Sequence, residues 1–250
     1  TSRLYRRTIS LKETRTVLVN ASPLPPVYGA PNTMDNTTVV ILAAGRGTRL
    51  RGAFGGMPKG FLPFRQTTFI ERALDMLAAA KADRTIIVTG YQGNHYADLA
   101  ARRGGQVETV FNPAFADMGT AQSLLVGLER CKGSVVVMDA DIVYDAQAIM
   151  RILDPAVHSG IVLSDIANSS DNIFAWTVDS SNGRGLVHLS KNLSTMPSSP
   201  SGEHIGIIKL SAELAREMRD TSPQLIAREP MIAYEQCLTP LLAKHHVSAV

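Results

Sequence analysis

The stretch Val39-Val40-Ile41-Leu42-Ala43-Ala44-Gly45-Arg46-Gly47-Thr48-Arg49 decides the fold of this 250-residue chain. Its first four residues are apolar without alternation, which is typical of a parallel strand buried on both faces. The small residues that follow let the backbone approach a ligand and direct its amides toward phosphate oxygens. Arg46, Arg49 and the later Lys59 supply positive charge. The stretch therefore predicts a buried strand that leads into an anion-binding loop.

Two other kinds of glycine-rich loop fit the sequence poorly. A P-loop requires Gly-Lys followed by Ser or Thr, and the chain contains no such tripeptide. A dinucleotide-binding loop requires a third Gly or Ala where this chain has Leu50. It also requires an acidic residue at the end of the next strand, whereas residues 85–90 end in Thr-Gly. The loop therefore favours a nucleoside triphosphate.

Helical and strand patterns alternate after this loop. Apolar residues at helical spacing predict a helix over residues 69–82, and a β-branched run predicts a strand over residues 85–90. The same patterns predict helices over 96–103, 120–131 and 145–153, and strands over 107–111, 134–138, 161–165, 173–178 and 185–189. The alternation predicts an α/β fold with a doubly wound, mostly parallel, Rossmann-like sheet. The last three strands predict a small β-rich subregion, two of them pairing around a turn at residues 180–183.

Composition limits the classes of protein to consider. No apolar run approaches the roughly 20 residues that cross a bilayer, and Arg6-Arg7 is not followed by the apolar segment of a signal peptide. We therefore expect a cytoplasmic protein without a membrane partner. The net charge is +3, and five basic residues against Glu13 precede Asn20, so the remainder is close to neutral. A nucleic-acid partner is not expected for the folded part, although the basic head could be a nucleic-acid or partner-binding arm.

The chain divides into two regions. Residues 1–36 form a basic N-terminal extension and a Pro/Asn-rich linker, which includes Pro23-Leu24-Pro25-Pro26. Residues 37–250 form one domain of ordinary size.

Three motifs in this domain carry a family resemblance. Leu42 to Arg49, Pro58-Lys59 and Asp139-Ala140-Asp141 resemble the nucleotidyltransferases that join sugar phosphates, phosphocholine or phosphonates to a nucleoside monophosphate. The resemblance runs from about Val39 to about Val247. Later motifs favour the cytidylyltransferase branch that acts on phosphocholine and 2-aminoethylphosphonate; they are Phe111-Asn112-Pro113, Ser190-Lys191, Gly202-Glu203-His204-Ile205-Gly206-Ile207 and Tyr234-Glu235.

The resemblance implies a sheet of the nucleotidyltransferase type whose β-rich subregion receives the acceptor. It implies CTP and a small phosphorylated or phosphonate acceptor as substrates and Mg²⁺ as cofactor. Lys59, Arg49 and Lys191 are the implied catalytic residues, because cations must neutralise two anions that meet. The implied nucleotide-binding residues are Leu42, Ala43, Ala44, Gly45, Arg46, Gly47, Thr48, Gln122, Ser123 and Asp139.

Carboxylates at the end of a central strand suit a hard cation. The resemblance implies Asp141, Glu235 and Asp139 as metal ligands. Aromatic faces or a carboxylate suit an amine or choline head group. The candidate acceptor residues are Tyr91, Phe115, Asp117, Trp176 and Glu203.

Several alternatives stay open at this point. The same fold with another nucleotide would be a sugar- or inositol-phosphate nucleotidyltransferase, and a non-catalytic homologue would only sense nucleotides. Relatives commonly continue past the position of Val250, so a further segment or a fusion partner after residue 250 is a possibility that we keep.

Overall fold

The computed structural model describes residues 37–47, 56–166 and 172–250. The predictions for residues 1–36, Thr48 and Arg49 fall outside these described residues. The strands are β1 (Thr38–Ala43), β2 (Pro63–Phe64), β3 (Thr67–Thr68), β4 (Arg84–Thr89), β5 (Val107–Phe111), β6 (Val135–Asp139), β7 (Gly160–Ser164), β8 (Phe174–Ser180), β9 (Gly183–Ser190), β10 (Gly202–Leu210) and β11 (Ser248–Ala249). The helices are α1 (Phe69–Ala79), α2 (Gly93–Arg103), α3 (Thr120–Leu128), α4 (Ala146–Leu153), α5 (Ala212–Arg228) and α6 (Tyr234–Leu238).

Strand β1 is buried along its whole length and separates two hydrophobic cores. Val40 and Leu42 pack into a core formed with α3, α5 and α6. Val39 and Ile41 point the opposite way, into a core formed with α1, α2 and α4. Alternate residues of a strand face opposite sides of the sheet, so an entirely apolar strand requires a helix layer on each side. The continuous apolar run of the sequence therefore has this physical explanation.

Nine strands form one sheet in the order β5-β4-β1-β6-β10-β7-β11-β9-β8. Strands β5, β4, β1 and β6 are parallel, which confirms the predicted doubly wound half. Strand β10 then pairs antiparallel with both β6 and β7. The carboxyl ends of β1 and β6 meet at one edge, where open α/β sheets collect ligands.

The second half of the sheet closes on itself. Strands β8 and β9 form an antiparallel hairpin at the predicted turn, and the start of β8 also pairs with β10. Strands β10, β7, β11, β9 and β8 therefore make a closed group, which confirms the predicted β-rich subregion. Strand β10 belongs to both halves and is buried at all nine positions.

Several elements differ from the sequence prediction. Helix α1 ends at Ala79 rather than at residue 82, because Lys81 adopts a left-handed conformation with φ of 57°. Strand β10 and helix α5 were not predicted as elements. Among the described helices, none has both the length and the apolar content that a membrane crossing requires.

Candidate active site

The loop after β1 packs against the side chain of Lys59. Ala43 and Ala44 are buried, whereas Gly45 and Arg46 are exposed. Gly47 has φ of 56°, and a Cβ atom at this position would lie 3.1 Å from Cγ of Lys59. The backbone conformation and the close approach of the lysine stem therefore both favour glycine at this position.

Lys59 itself begins a short 3-10 turn, Lys59–Phe61. Pro58 precedes it with φ of −61°, and the backbone N–H of Phe61 donates to the Pro58 carbonyl at 2.9 Å. The ammonium Nζ of Lys59 lies 2.9 Å from Oδ2 of Asp141, and both side chains are about one-third exposed. The fold thus brings together two residues that are 82 positions apart in the chain.

A buried tyrosine that the sequence analysis did not single out supports this turn. The hydroxyl of Tyr96 is hydrogen-bonded to the backbone of Gly60, and its ring lies 4.9 Å from that of Phe61. Burial raises the pKa of Tyr96 well above its usual range, and the Asp141 carboxylate adds to the shift, so the phenol stays protonated. A Cβ on Gly60 would lie only 2.7 Å from this hydroxyl.

Asp139 ends strand β6 beside β1, with Leu42 as its register partner. The carboxylate of Asp139 lies against Gly206 of strand β10, which has φ of 70°. A Cβ atom on Gly206 would lie 2.4 Å from Oδ2 of Asp139. The hydroxyl of Tyr144 accepts a hydrogen bond from the Asp139 N–H at 2.9 Å and donates to the Gly206 carbonyl at 2.6 Å. In the sequence, Gly206 was predicted only as part of a motif.

The predicted base-binding side lies next to Ala44. The backbone N–H of Tyr91 donates to the Ala44 carbonyl at 3.1 Å. The side chain of Phe115 packs so closely on Gly90 that a Cβ there would lie 2.5 Å from its Cβ and Cγ. Both residues are half-buried, and their contacts with Ala44 and Gly90 place them at the carboxyl ends of β1 and β4 rather than in the β-rich subregion.

Helix α3 contributes Gln122 and Ser123 to this side. Gln122 is half-buried, whereas Ser123 is buried and its Oγ accepts a hydrogen bond from Nδ2 of Asn112 at 3.1 Å. Oδ1 of Asn112 in turn accepts from the backbone N–H of Ala114 at 3.0 Å. Ser123 therefore holds the turn that follows β5, and Asn112 is a buried polar residue to which the sequence analysis gave no role. An Asn-Pro pair directly after a strand was the available signal.

The predicted acceptor residues are spread over three places. Glu203 is buried on β10 and faces Phe174 of β8 in register, and Phe174 also pairs with Ser190, the residue before Lys191. Lys191 and Glu203 thus belong to the same corner of the β-rich subregion. Asp117 is exposed in the turn before α3, away from that corner in the chain.

Trp176 differs from its predicted role. Its side chain is only 2% exposed, and its indole Nε1 donates to the Ser198 carbonyl at 2.7 Å. The backbone N–H of Ser201 also donates to the Ala175 carbonyl, so the segment rich in Ser and Pro at residues 194–201 is anchored to β8 at two points. A buried indole that is committed to a loop presents no open face to an acceptor.

Glu235 is buried on α6, next to Tyr234. The Tyr234 hydroxyl is hydrogen-bonded to Nε2 of the buried His204 at 2.8 Å, which joins α6 to β10. The backbone N–H of Tyr234 donates to Oγ1 of Thr120 at 3.2 Å, which joins α6 to α3. Helix α6 is therefore fixed to the elements on both sides of the site.

The predicted metal ligands come from two places in the fold, the end of β6 and helix α6. Within residues 37–47, 56–166 and 172–250, no group of three or more His, Cys, Asp or Glu side chains is arranged to hold a metal ion, so Asp139, Asp141 and Glu235 are not gathered into one cluster. Mg²⁺ usually takes one or two carboxylates together with substrate phosphates. Asp139 and Asp141 form such a pair at the end of β6, and the carboxylate of Asp139 lies directly against Gly206. The oxygen ligands present therefore fit Mg²⁺ with two protein ligands.

The family follows from the sequence of this domain as a whole. A family model described as the MobA-like NTP transferase domain matches residues 39–245, which include β1, Lys59, Asp139, Asp141 and Glu235. The chain belongs to the MobA-like NTP transferase domain family. The match covers the parallel half from Val39 onward and the closed β-rich half apart from β11 of this NTP transferase domain.

Individual relatives match a smaller part of this NTP transferase domain. The chain is 35% identical over 102 residues to a choline-phosphate cytidylyltransferase of Streptococcus pneumoniae (strain ATCC BAA-255 / R6), covering 41% of this chain and 43% of that protein. It is 28% identical over 104 residues to the bifunctional protein GlmU of Synechococcus sp. (strain CC9605), covering 42% of this chain and 22% of that protein. The matched part thus spans less than half of either relative.

Solved structures agree with the fold. The CTP:phosphocholine cytidylyltransferase from Streptococcus pneumoniae superposes with a TM-score of 0.64 at 20% identity, covering 86% of this chain and 89% of that chain. The inositol-1-phosphate CTP transferase from T. maritima superposes with a TM-score of 0.67 at 16% identity, covering 85% and 84%. At these identities the likeness establishes the Rossmann-like architecture of the NTP transferase family.

Proposed function

We propose that this protein is a magnesium-dependent cytidylyltransferase, which transfers CMP from CTP to a small phosphonate or phosphoalcohol and releases pyrophosphate. The acceptor would be of the 2-aminoethylphosphonate, 2-hydroxyethylphosphonate or phosphocholine type. The observation that carries the proposal is the meeting of Lys59 and Asp141 at the carboxyl edge of β1 and β6, in a chain of the NTP transferase family. The 35% identity to a choline-phosphate cytidylyltransferase supports the choice of branch.

In the proposed reaction an oxygen of the acceptor phosphate or phosphonate attacks the α-phosphorus of CTP. A new P–O bond forms, and the bond from the α-phosphorus to the oxygen that bridges to the β-phosphate breaks. The electron pair of that bond leaves with pyrophosphate. Since both reactants are anions, the protein contributes mainly position and charge neutralisation.

Each candidate residue has a role in this scheme. Lys59 would neutralise the triphosphate from the side of the Gly45–Gly47 loop. Lys191 would approach from the β-rich subregion, and the buried Glu203 would support the same corner. Asp139 and Asp141 would hold Mg²⁺, whose charge lowers the repulsion between the reacting anions when it is bound.

Strand β10 relates the two ligand regions. Gly206 contacts the carboxylate of Asp139 at the end of β6. Glu203 lies three residues before Gly206 on strand β10. At about 3.3 Å per residue, the two positions are separated by roughly 10 Å. This separation suits an α-phosphate and the far end of a small acceptor.

A second candidate is a sugar- or inositol-phosphate nucleotidyltransferase that uses UTP, dTTP, GTP or CTP. The comparable TM-score of the inositol-1-phosphate CTP transferase favours keeping this candidate. The two candidates share the nucleotide edge and differ in the acceptor that the β-rich subregion binds.

The test is pyrophosphate release with Mg²⁺. Each nucleoside triphosphate would be combined with phosphocholine, 2-aminoethylphosphonate, 2-hydroxyethylphosphonate, inositol phosphate and sugar phosphates. Lys59→Ala is the diagnostic variant, and Lys132→Ala, which removes an exposed lysine after α3, is the matched control. We expect release with CTP and one small acceptor, lost in Lys59→Ala and kept in Lys132→Ala.

Other outcomes would move the assignment. Turnover only with a sugar or inositol phosphate selects the second candidate. CTP binding without release for any acceptor indicates a nucleotide-sensing homologue. Equal activity of Lys59→Ala and the wild type removes Lys59 from the catalytic role.

A further inference from the structure

The hydroxyl of Tyr144 lies between Asp139, at the end of β6, and Gly206 of strand β10. It accepts from the N–H of Asp139 at 2.9 Å and donates to the carbonyl of Gly206 at 2.6 Å, and the Asp139 carbonyl lies 3.1 Å away. The tyrosine is 2% exposed. The backbone groups around this phenol have little access to water. The hydroxyl therefore provides hydrogen-bond partners for backbone groups of two strands, β6 and β10.

The Gly206 carbonyl belongs to an irregular part of β10. The register of β10 with β7 shifts between His204 and Ile208, and Gly206 has a left-handed backbone there. Such bulges re-aim side chains and are frequent beside active sites. A Cβ on Gly206 would lie 2.4 Å from Oδ2 of Asp139 and 2.6 Å from Cδ1 of Ile142, so the carboxylate rests on a surface that only glycine provides.

We infer that Tyr144 is a positioning residue, which acts through the Gly206 bulge to fix the carboxylate of Asp139 for the metal–nucleotide complex. The inference rests on the proposed function, because that function assigns Asp139 to the complex. Tyr144 touches no ligand in this scheme. Its hydroxyl holds the backbone N–H of Asp139 and also holds the carbonyl of Gly206, the residue against which the Asp139 carboxylate lies.

Partners that orient a metal ligand commonly change metal affinity by about tenfold or more when they are removed. Tyr144→Phe keeps the ring and removes only the hydroxyl. Gly206→Ala adds a methyl group where the Asp139 carboxylate lies. Thr221→Val is the matched control, because it removes a hydroxyl that donates to the Glu217 carbonyl on α5 at 2.8 Å.

The measurement is the Mg²⁺ concentration that half-saturates CTP binding, by calorimetry, and in parallel the concentration that half-saturates pyrophosphate release. We expect Tyr144→Phe to need about tenfold more Mg²⁺ in both assays. We expect Gly206→Ala to shift in the same direction and Thr221→Val to match the wild type. At saturating Mg²⁺ the affinity of Tyr144→Phe for CTP returns toward the wild-type value.

A Tyr144→Phe protein with a lower melting temperature but an unchanged Mg²⁺ requirement overturns the inference, because the hydroxyl would then serve stability alone. If the wild type releases pyrophosphate and Tyr144→Phe has the same Mg²⁺ requirement, the inference fails while the proposed function stands. A wild type that neither binds CTP nor releases pyrophosphate overturns both.

Discussion

The ammonium of Lys59 lies 2.9 Å from the carboxylate of Asp141, so the proposed triphosphate-binding cation and a proposed metal ligand neutralise each other. Under the proposed function, CTP and Mg²⁺ would each replace one member of this ion pair as the partner of the other. The ion pair would then couple nucleotide binding to metal binding.

Replacing Asp141 by Asn should change the affinity for CTP in opposite directions with and without metal. Without metal, Asp141→Asn frees Lys59 and removes a negative charge from the site, so CTP should bind about two- to fivefold more tightly than to the wild type. With Mg²⁺ present, the variant lacks a metal ligand and should bind CTP more weakly than the wild type. Calorimetry in EDTA and in Mg²⁺ measures both. Weaker binding under both conditions would show that the ion pair does not compete with nucleotide.

The contact between Gly60 and Tyr96 should give a compensating pair of substitutions. In Gly60→Ala the new methyl group would lie 2.7 Å from the Tyr96 hydroxyl and 3.3 Å from the Ala140 carbonyl. We expect a loss of roughly 1–3 kcal/mol in unfolding free energy and a higher KM for CTP. Tyr96→Phe removes the closest of these atoms, so the double variant should recover part of the lost stability. Additive losses in chemical denaturation would contradict the close contact.

The junction between α3 and α6 should not tolerate a side chain at Gly119. A Cβ there would lie 2.3 Å from the Ile232 carbonyl and 2.5 Å from the Met231 carbonyl, and backbone atoms cannot rotate away. Gly119→Ala should therefore lower the free energy of unfolding by roughly 1–3 kcal/mol or more. Gly105→Ala is the control, because no atom lies within 4 Å of the added methyl group. That control should stay within about 0.5 kcal/mol of the wild type.

Glu217 should contribute stability that acid removes. Hydrogen bonds from His245 and then from Lys244 lower the pKa of Glu217 below its usual value of 4.5. A carboxylate with a lowered pKa stabilises the folded state above its unfolded pKa, and this contribution is lost as the pH falls through the folded pKa. Glu217→Gln should therefore melt below the wild type at pH 7, and the difference should shrink below about pH 4. An equal difference at both pH values would rule out the ionised carboxylate as the cause.

The parallel half was predictable because its signals are local. An apolar strand without alternation requires cover on both faces, and small residues with cations after it suit phosphate. The contacts that orient the site are not local. Tyr96 and Gly60 are 36 positions apart, and Tyr144 meets Gly206 across 62 residues. No spacing rule identifies which buried tyrosine hydroxyl meets which glycine.

Trp176 and Glu235 also show that local sequence does not determine the surroundings of a side chain. Each residue type fits a ligand as well as a core, and the choice depends on what packs around it. The Ser198 carbonyl takes the indole N–H of Trp176, and α3 and β10 enclose the helix that carries Glu235. Gly119 was visible in the sequence, but its significance depends on a segment more than 100 residues later.

Strand β10 has a consequence for how the protein can move during turnover. Its residues pair with β6 in the parallel half and with β7 and β8 in the closed group. A hinge between the two halves would have to break hydrogen bonds within a fully buried strand. Rigid-body closure of one half over the other is therefore energetically costly. We expect substrate access to depend on movements of loops and side chains at the edge of the sheet, while the distance between the two halves stays constant.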